Sequence, residues 1–260
     1  MTEPHGFDKS QGLLFNTVRH VLSRCPDADP HTTAQIICQV YQKATGLNKA
    51  GDQLASSVAT GGRDLYRLGY MPGTSGNISL RLPDGNILIT PSGVNKGRMD
   101  REDLIIIDSE GNLIEGRGKP SSEYKMHTAC YDLRPDVGAV VHCHPPYCTA
   151  MASCGVSLED PVLPEGILVL GPVPLVEYST PSTREVSDNL IPFLKDRNVF
   201  LLANHGALCL GADLNQALHR METLEFTARV VTIARTLGRE RNLTPAQHSR
   251  LLKVWKDSTA

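Results

Sequence analysis

The sequence lacks the features of membrane, secreted and nucleic-acid-binding proteins. No apolar run approaches the roughly 18 residues that a membrane helix needs. The polar N-terminus does not show the basic-then-apolar order of a signal peptide. With a formal net charge of −2, the chain has no overall basic field for nucleic acid or an anionic membrane. These absences predict a cytoplasmic protein with neither nucleic acid nor membrane as a partner.

Disulfide spacing and nucleotide-binding motifs are missing as well. The seven cysteines are odd in number and scattered, with no CxxC pair, which favours a reducing compartment. Neither the GK[ST] of a P-loop nor the GxGxxG of a dinucleotide fold is present. The remaining composition, 40% hydrophobic and 21% charged over 260 residues, is that of an ordinary globular protein. Any anion recognition must therefore be local.

Hydrophobic periodicity divides the chain into two regions. Residues 1–50 carry two amphipathic stripes, which predict a helical N-terminal extension that either packs as a flank or serves as a docking segment. In residues 51–260, short β-rich runs mixed with helices predict an α/β domain with a mainly antiparallel or mixed sheet. The predicted strands are 86–90, 104–108, 113–114, 137–144, 167–170, 175–178, 199–203 and 207–210. The predicted helices after residue 100 are 122–132, 182–195, 213–237 and 244–256.

Three histidines are candidate metal ligands. His142 and His144 are two residues apart in a predicted strand, so both side chains point to the same face. His205 occupies the predicted turn between two apolar strands, where a histidine before glycine is also common as an ordinary turn residue. Three imidazoles from two strand ends would leave coordination positions open, as catalytic zinc sites do. We expect the remaining histidines to be solvated or half-buried: His5, His20, His31, His127, His219 and His248.

A carboxylate and three loops of small residues are candidates for the rest of a site. Glu123 follows a serine pair at a predicted helix start. There it either interacts favourably with the positive end of the helix dipole or lies beside an anion site. Segments 73–77 and 90–93 are rich in glycine, serine and threonine, so their N–H groups could form anion-binding nests or belong to ordinary turns.

Taken together, these motifs resemble the class II aldolase/adducin family, and within it the aldolases of ketose 1-phosphates such as the L-fuculose-1-phosphate aldolases. The matching segments are, in chain order, TSGNIS (74–79), ITPSGV (89–94), GKPSSEYKMH (118–127), AVVHCHP (139–145), TPSTRE (180–185) and ANHGAL (203–208). The resemblance implies a three-layer α/β/α fold in residues 51–260. It also implies a C4 homotetramer with active sites at subunit interfaces.

The resemblance further implies roles for individual residues. His142, His144 and His205 would hold one Zn²⁺ per chain, and Glu123 would be the catalytic base. The residues matched to phosphate binding are Gly76, Asn77, Ser92, Gly93, Ser121 and Ser122. The implied reaction is reversible cleavage of a ketose 1-phosphate to dihydroxyacetone phosphate and an aldehyde, with zinc as Lewis acid.

One departure from the family leaves the aldehyde undetermined. Residues 161–166 contain no tyrosine where the fuculose enzymes have one, and Glu165 is the nearest ionisable substitute for a second acid or base. The alternatives are a sugar-phosphate epimerase or a metal-dependent decarboxylase of the same superfamily. A non-catalytic adducin-like interaction protein would not need the metal ligands, which are all present here.

Overall fold

The computed structural model describes residues 47–259 except Pro161 and Arg239, together with Asp29 and Thr33. The two helices predicted before residue 47 lie outside the described residues, so the extension and its boundary stay predictions. The chain divides into two units, residues 1–56 and 57–260. The first described helix, α1, covers Leu47–Arg67.

An eight-stranded sheet organises the second unit. Its order is β4-β3-β2-β1-β5-β8-β7-β6. The strands are β1 (Asn77–Arg81), β2 (Ile87–Ile89), β3 (Ile105–Ile107), β4 (Leu113–Glu115), β5 (Ala139–Cys143), β6 (Leu175–Val176), β7 (Val199–Leu202) and β8 (Gly206–Gly211). Every neighbouring pair is antiparallel except β6 with β7. This confirms the predicted mixed, mainly antiparallel sheet.

Helices flank the sheet, as the three-layer α/β/α prediction requires. They are α2 (Tyr124–Leu133), α3 (Pro146–Ser153), α4 (Glu185–Leu194), α5 (Leu214–Thr236) and α6 (Pro245–Thr259). Apolar side chains of α2 and α4 form one core with alternate residues of the strands. Helices α3 and α5 pack together, and α5 packs along β5 and β8. Among the helices of the described residues, none combines the length and apolarity that a bilayer crossing requires.

The predicted strand at 167–170 is wrong. Gly166–Leu170 forms a π-helical turn, which ends at Gly171 with φ 67°. A short apolar run has the same pattern whether it is a buried strand or a buried helical turn, so periodicity could not decide between them. The predicted helices also did not include α3, which begins at Pro146, a position where proline's missing N–H leaves no intrahelical hydrogen bond unmade.

The three central strands bring their ends together at one edge of the sheet. Asn77, which begins β1, pairs with His142 near the end of β5. On the other side of β5, Cys143 pairs with Ala207 at the start of β8. Because both neighbours run antiparallel to β5, residues distant in sequence meet where β5 ends.

Candidate metal centre

Three imidazoles converge at this edge. His142 is the fourth residue of β5, and His144 follows the strand directly. Their Nε2 atoms lie 3.1 Å apart. The ring of His205, from the turn between β7 and β8, lies 4.7 Å from that of His142 and 5.1 Å from that of His144, centroid to centroid. The three rings place one nitrogen each within 4.8 Å of one another, a group that can hold a metal ion.

The backbone of the β7–β8 turn fixes the position of His205. Asn204 adopts a left-handed conformation with φ 55°, which asparagine tolerates better than most residues. At Gly206, a Cβ atom would lie 2.4 Å from the carbonyl oxygen of Cys143 and 2.7 Å from Cδ2 of His144. The glycine after His205 is therefore a steric requirement of the close approach between the turn and strand β5.

The histidine lone pairs face the centre of the group. The Nδ1 of His142 lies 2.9 Å from the carbonyl oxygen of Ala207 and donates to it, which leaves its Nε2 as an acceptor. Burial, reinforced by His142 and His205, lowers the pKa of His144 to about 3, so this ring is neutral. Two neutral imidazole nitrogens at close range repel each other unless a hydrogen or a cation lies between them.

Glu123 closes the fourth side. Its Oε2 lies 3.3 Å from His142 Nε2, and its Oε1 lies 3.1 Å from His205 Nε2. Burial alone would raise the pKa of Glu123, but His142 and His205 hold it well below its usual range, so the carboxyl is ionised. Its buried Oε1 makes no hydrogen bond to any described residue, despite its closeness to His205. A carboxylate oxygen without a hydrogen bond beside three imidazole nitrogens is a donor set that fits a divalent cation such as zinc.

The loops predicted to bind phosphate lie next to one another. The buried Lys96 ammonium donates to the carbonyl oxygens of Thr74 (2.9 Å) and Val94 (3.0 Å), and so joins segments 73–76 and 91–94. Ser92 N–H donates to the carbonyl oxygen of Lys119 at 2.9 Å, which joins the second loop to segment 119–122. Burial lowers the pKa of Lys96 to about 8, against the opposing effect of Glu123.

Within these loops, the predicted residues differ in exposure and in role. Ser92, Gly93 and Ser122 are exposed, whereas Ser121 is buried and its Oγ accepts from the N–H of Glu123 at 3.3 Å. Gly76 has φ 71°, and a Cβ atom there would lie 2.9 Å from the carbonyl oxygen of His142. Glycine at this position lets the first loop lie against the metal-binding strand.

Asn77 and Glu165 are the remaining predicted site residues, and they differ in exposure and in contacts. Asn77 is buried, and its Nδ2 donates to Glu123 Oε2 at 2.9 Å, so its side chain binds the carboxylate. Glu165 is exposed at the start of the π-helical turn and forms no ion pair with the described residues.

The expectation that His127 is solvated or half-buried is wrong. Its ring is 0% exposed, and its Nε2 lies 2.5 Å from Asn77 Oδ1. The sequence did carry a signal for this residue, because His127 lies four positions after Glu123 and therefore on the same face of α2.

Comparison with known proteins identifies the family of the chain. Residues 56–232 match the family model described as Class II Aldolase and Adducin N-terminal domain. The 3-oxo-tetronate 4-phosphate decarboxylase of Escherichia coli O6:H1 is 39% identical over 173 residues, which cover 65% of this chain and 81% of that protein. The L-fuculose phosphate aldolase of Methanococcus maripaludis is 37% identical over 176 residues, covering 67% and 94% respectively. The crystal structure of YgbL from Escherichia coli, described only as an aldolase, epimerase or decarboxylase, is 34% identical with a TM-score of 0.72, covering 77% and 98%.

Proposed function

The chain belongs to the Class II Aldolase and Adducin family, and we propose that it is a zinc-dependent aldolase that reversibly cleaves a ketose 1-phosphate to dihydroxyacetone phosphate and an aldehyde. One observation carries the proposal: the ionised Glu123 has a buried oxygen without a hydrogen bond, 3.1 Å from the imidazole of His205. A carboxylate in this position can both accept and return a proton beside a metal-polarised carbonyl.

The chain's own residues would divide the work between binding and proton transfer. His142, His144 and His205 would hold the metal, which when bound supplies Lewis-acid polarisation of the substrate carbonyl. In the cleavage direction, the bond between C3 and C4 of the ketose breaks, the C4 hydroxyl releases its proton to solvent, and the aldehyde leaves. Glu123, which is ionised at rest, would take up one proton from solvent and deliver it to C3, which gives dihydroxyacetone phosphate. In the condensation direction, Glu123 Oε1 would remove the same proton.

Phosphate binding is proposed for the three joined loops. The residues are Gly76, Ser92, Gly93, Ser121 and Ser122, with the ammonium of Lys96 as a buried positive charge beneath them. Because the whole chain is net negative, recognition would depend on local N–H groups and hydroxyls. Asn77 was predicted to bind phosphate. Its hydrogen bond to Glu123 supports a second role, in which it holds the carboxylate.

A metal-dependent decarboxylase is the second candidate, and the similarity to 3-oxo-tetronate 4-phosphate decarboxylase favours it. In that reaction a carboxylate leaves as CO₂, and the carbon it leaves must take up a proton. Glu123 could deliver that proton from the same position. The two reactions therefore share the metal and Glu123 but differ in the bond that breaks.

A substrate panel with two readouts separates these candidates. Zinc-loaded protein is incubated with ketose 1-phosphates, with release of dihydroxyacetone phosphate as the readout, and with 3-oxo-tetronate 4-phosphate, with release of CO₂ as the readout. We expect dihydroxyacetone phosphate from at least one ketose, and none with the His144→Ala variant. Release of CO₂ alone would replace the aldolase with the decarboxylase. A protein that binds no metal and releases neither product would instead fit an adducin-like interaction protein.

We propose a homotetramer with sites at subunit interfaces as the assembled form. The exposed apolar side chains of α5, Phe226 and Ile233, support a buried role in an assembly. Light scattering on the purified protein would test this, and a monomer at micromolar concentration would contradict it.

A further inference from the structure

A buried chain of hydrogen bonds ends on the carboxylate of Glu123. Glu123, His127 and Tyr131 recur every four residues, from the N-terminal cap of α2 along one face of the helix. Asn77 and Ser79, two residues apart on β1, face them. Tyr131 and His127 each lie 2.7 Å from Ser79 Oγ, His127 Nε2 lies 2.5 Å from Asn77 Oδ1, and Asn77 Nδ2 lies 2.9 Å from Glu123 Oε2.

The direction of every bond in this chain follows from the carboxylate. An ionised carboxylate only accepts, so the side-chain amide of Asn77 must turn its NH₂ group toward Glu123. Its Oδ1 then faces His127 and needs a donor, so the proton of that ring is on Nε2. The Nδ1 of His127 must consequently accept from the Ser79 hydroxyl. Ser79 in turn accepts from Tyr131.

The electrostatics of the buried groups agree with this direction. Burial lowers the pKa of His127 to about 3, so the ring is neutral and has one donor and one acceptor. Burial also raises the pKa of Tyr131 far above its usual range, so its hydroxyl keeps the proton that it donates. Each member thus has only one arrangement that satisfies its neighbours.

We propose that His127 is a positioning residue, which acts through Asn77 to hold Glu123 Oε2 and so leaves Oε1 as the oxygen that exchanges protons with substrate. The inference rests on the proposed function, since it assigns a task to each oxygen of the catalytic carboxylate. In the other tautomer of His127, the amide of Asn77 would reverse and present its oxygen to the carboxylate. The two oxygens would then repel each other at hydrogen-bond distance, and Glu123 would turn away.

The kinetic test compares two substitutions of His127. His127→Phe fills the space without a donor, whereas His127→Gln offers an amide N–H close to the position of Nε2. We expect His127→Phe to lower kcat for hydrogen exchange at C3 of dihydroxyacetone phosphate about 10–100-fold, the range typical of groups that orient a catalytic ligand. KM and zinc content should stay unchanged, and His127→Gln should regain most of the rate. The exposed His219 supplies a matched control, His219→Gln, with wild-type rate.

A general loss of packing would give a different pattern. It would lower the unfolding temperature of both His127 variants alike, and the glutamine would not restore kcat. An undiminished kcat in a folded His127→Phe protein, or equal losses in both variants, would overturn the inference.

The tautomer itself can be measured without turnover. In zinc-loaded protein with ¹⁵N-labelled histidine, NMR should show His127 neutral with its proton on Nε2. Ser79→Ala removes the donor to Nδ1, and we expect a new population with the proton on Nδ1. A wild-type ring with its proton on Nδ1 would refute the inference. If instead the wild type catalyses no exchange but shows the Nε2 proton, the proposed function fails while the assigned direction of the hydrogen bonds stands.

Discussion

Replacing Glu123 with glutamine isolates proton transfer from metal binding. In the structure, Oε2 accepts from Asn77 at 2.9 Å, so the oxygen of a glutamine amide should take this place. The NH₂ group then falls where Oε1 lies, 3.1 Å from His205 Nε2. It can donate a hydrogen there but cannot accept a proton. The shape of the site and its three histidine ligands are kept, whereas the base is removed.

The expected loss follows from the usual contribution of a general base. Such groups contribute about 10²–10⁴-fold in rate, which corresponds to about 3–5 kcal/mol of transition-state stabilisation. The assay is exchange of the C3 hydrogen of dihydroxyacetone phosphate in deuterated water, followed by NMR, because it requires no knowledge of the aldehyde. Zinc content, measured in parallel, should remain near one per chain through the three histidines.

A second variant tests the other candidate for the base. Glu165→Gln makes the same change on an exposed carboxylate without an ion pair to the described residues, and we expect wild-type exchange. Exchange that survives in zinc-loaded Glu123→Gln would refute the assignment of the base. Loss of exchange in Glu165→Gln instead would move the base to that residue. A wild type that retains zinc but exchanges nothing would favour a relative that does not enolise dihydroxyacetone phosphate alone.

Further predictions concern the metal ligands, the turn and the loops. His144→Ala should lose both zinc and activity, and elemental analysis showing full occupancy would contradict the site. Burial lowers the pKa of His142, but the neighbouring Glu123 has the larger effect and raises the pKa above its ordinary value. Because a proton on this ring excludes a cation, zinc affinity should fall as the pH decreases through the raised pKa. A Kd for zinc that does not change with pH would refute this prediction. Gly206→Ala should destabilise the fold by about 1–3 kcal/mol through overpacking and weaken zinc binding; denaturant unfolding with wild-type stability would contradict the steric argument. Ser121→Ala combined with Ser122→Ala should raise KM for phosphorylated substrates at unchanged zinc content, whereas equal cleavage of an unphosphorylated sugar by wild type would remove the phosphate hypothesis.

Most of the strands were predictable because they depend on local periodicity, although the bounds of β1 (Asn77–Arg81) were not among the predictions. Alternation places His142 and His144 on one face wherever the strand lies, and their Nε2 atoms do meet. The helix over residues 124–133 and the hairpin around His205 also follow from local sequence patterns. The strand predicted at 167–170 is wrong because it also depended on a local pattern, and that pattern fits both a strand and a helical turn.

The sequence by itself thus determined the family, the sheet type and the residues able to hold a metal. Only the tertiary structure decided which partners those residues have. The antiparallel register places Asn77 opposite His142, and the packing of α2 on β1 buries His127 against Asn77. These contacts join residues 50 to 65 positions apart in the chain, where local periodicity carries no information. A hydrogen bond to Glu123 therefore depends on strand pairing and burial, which exist only once the sheet has assembled.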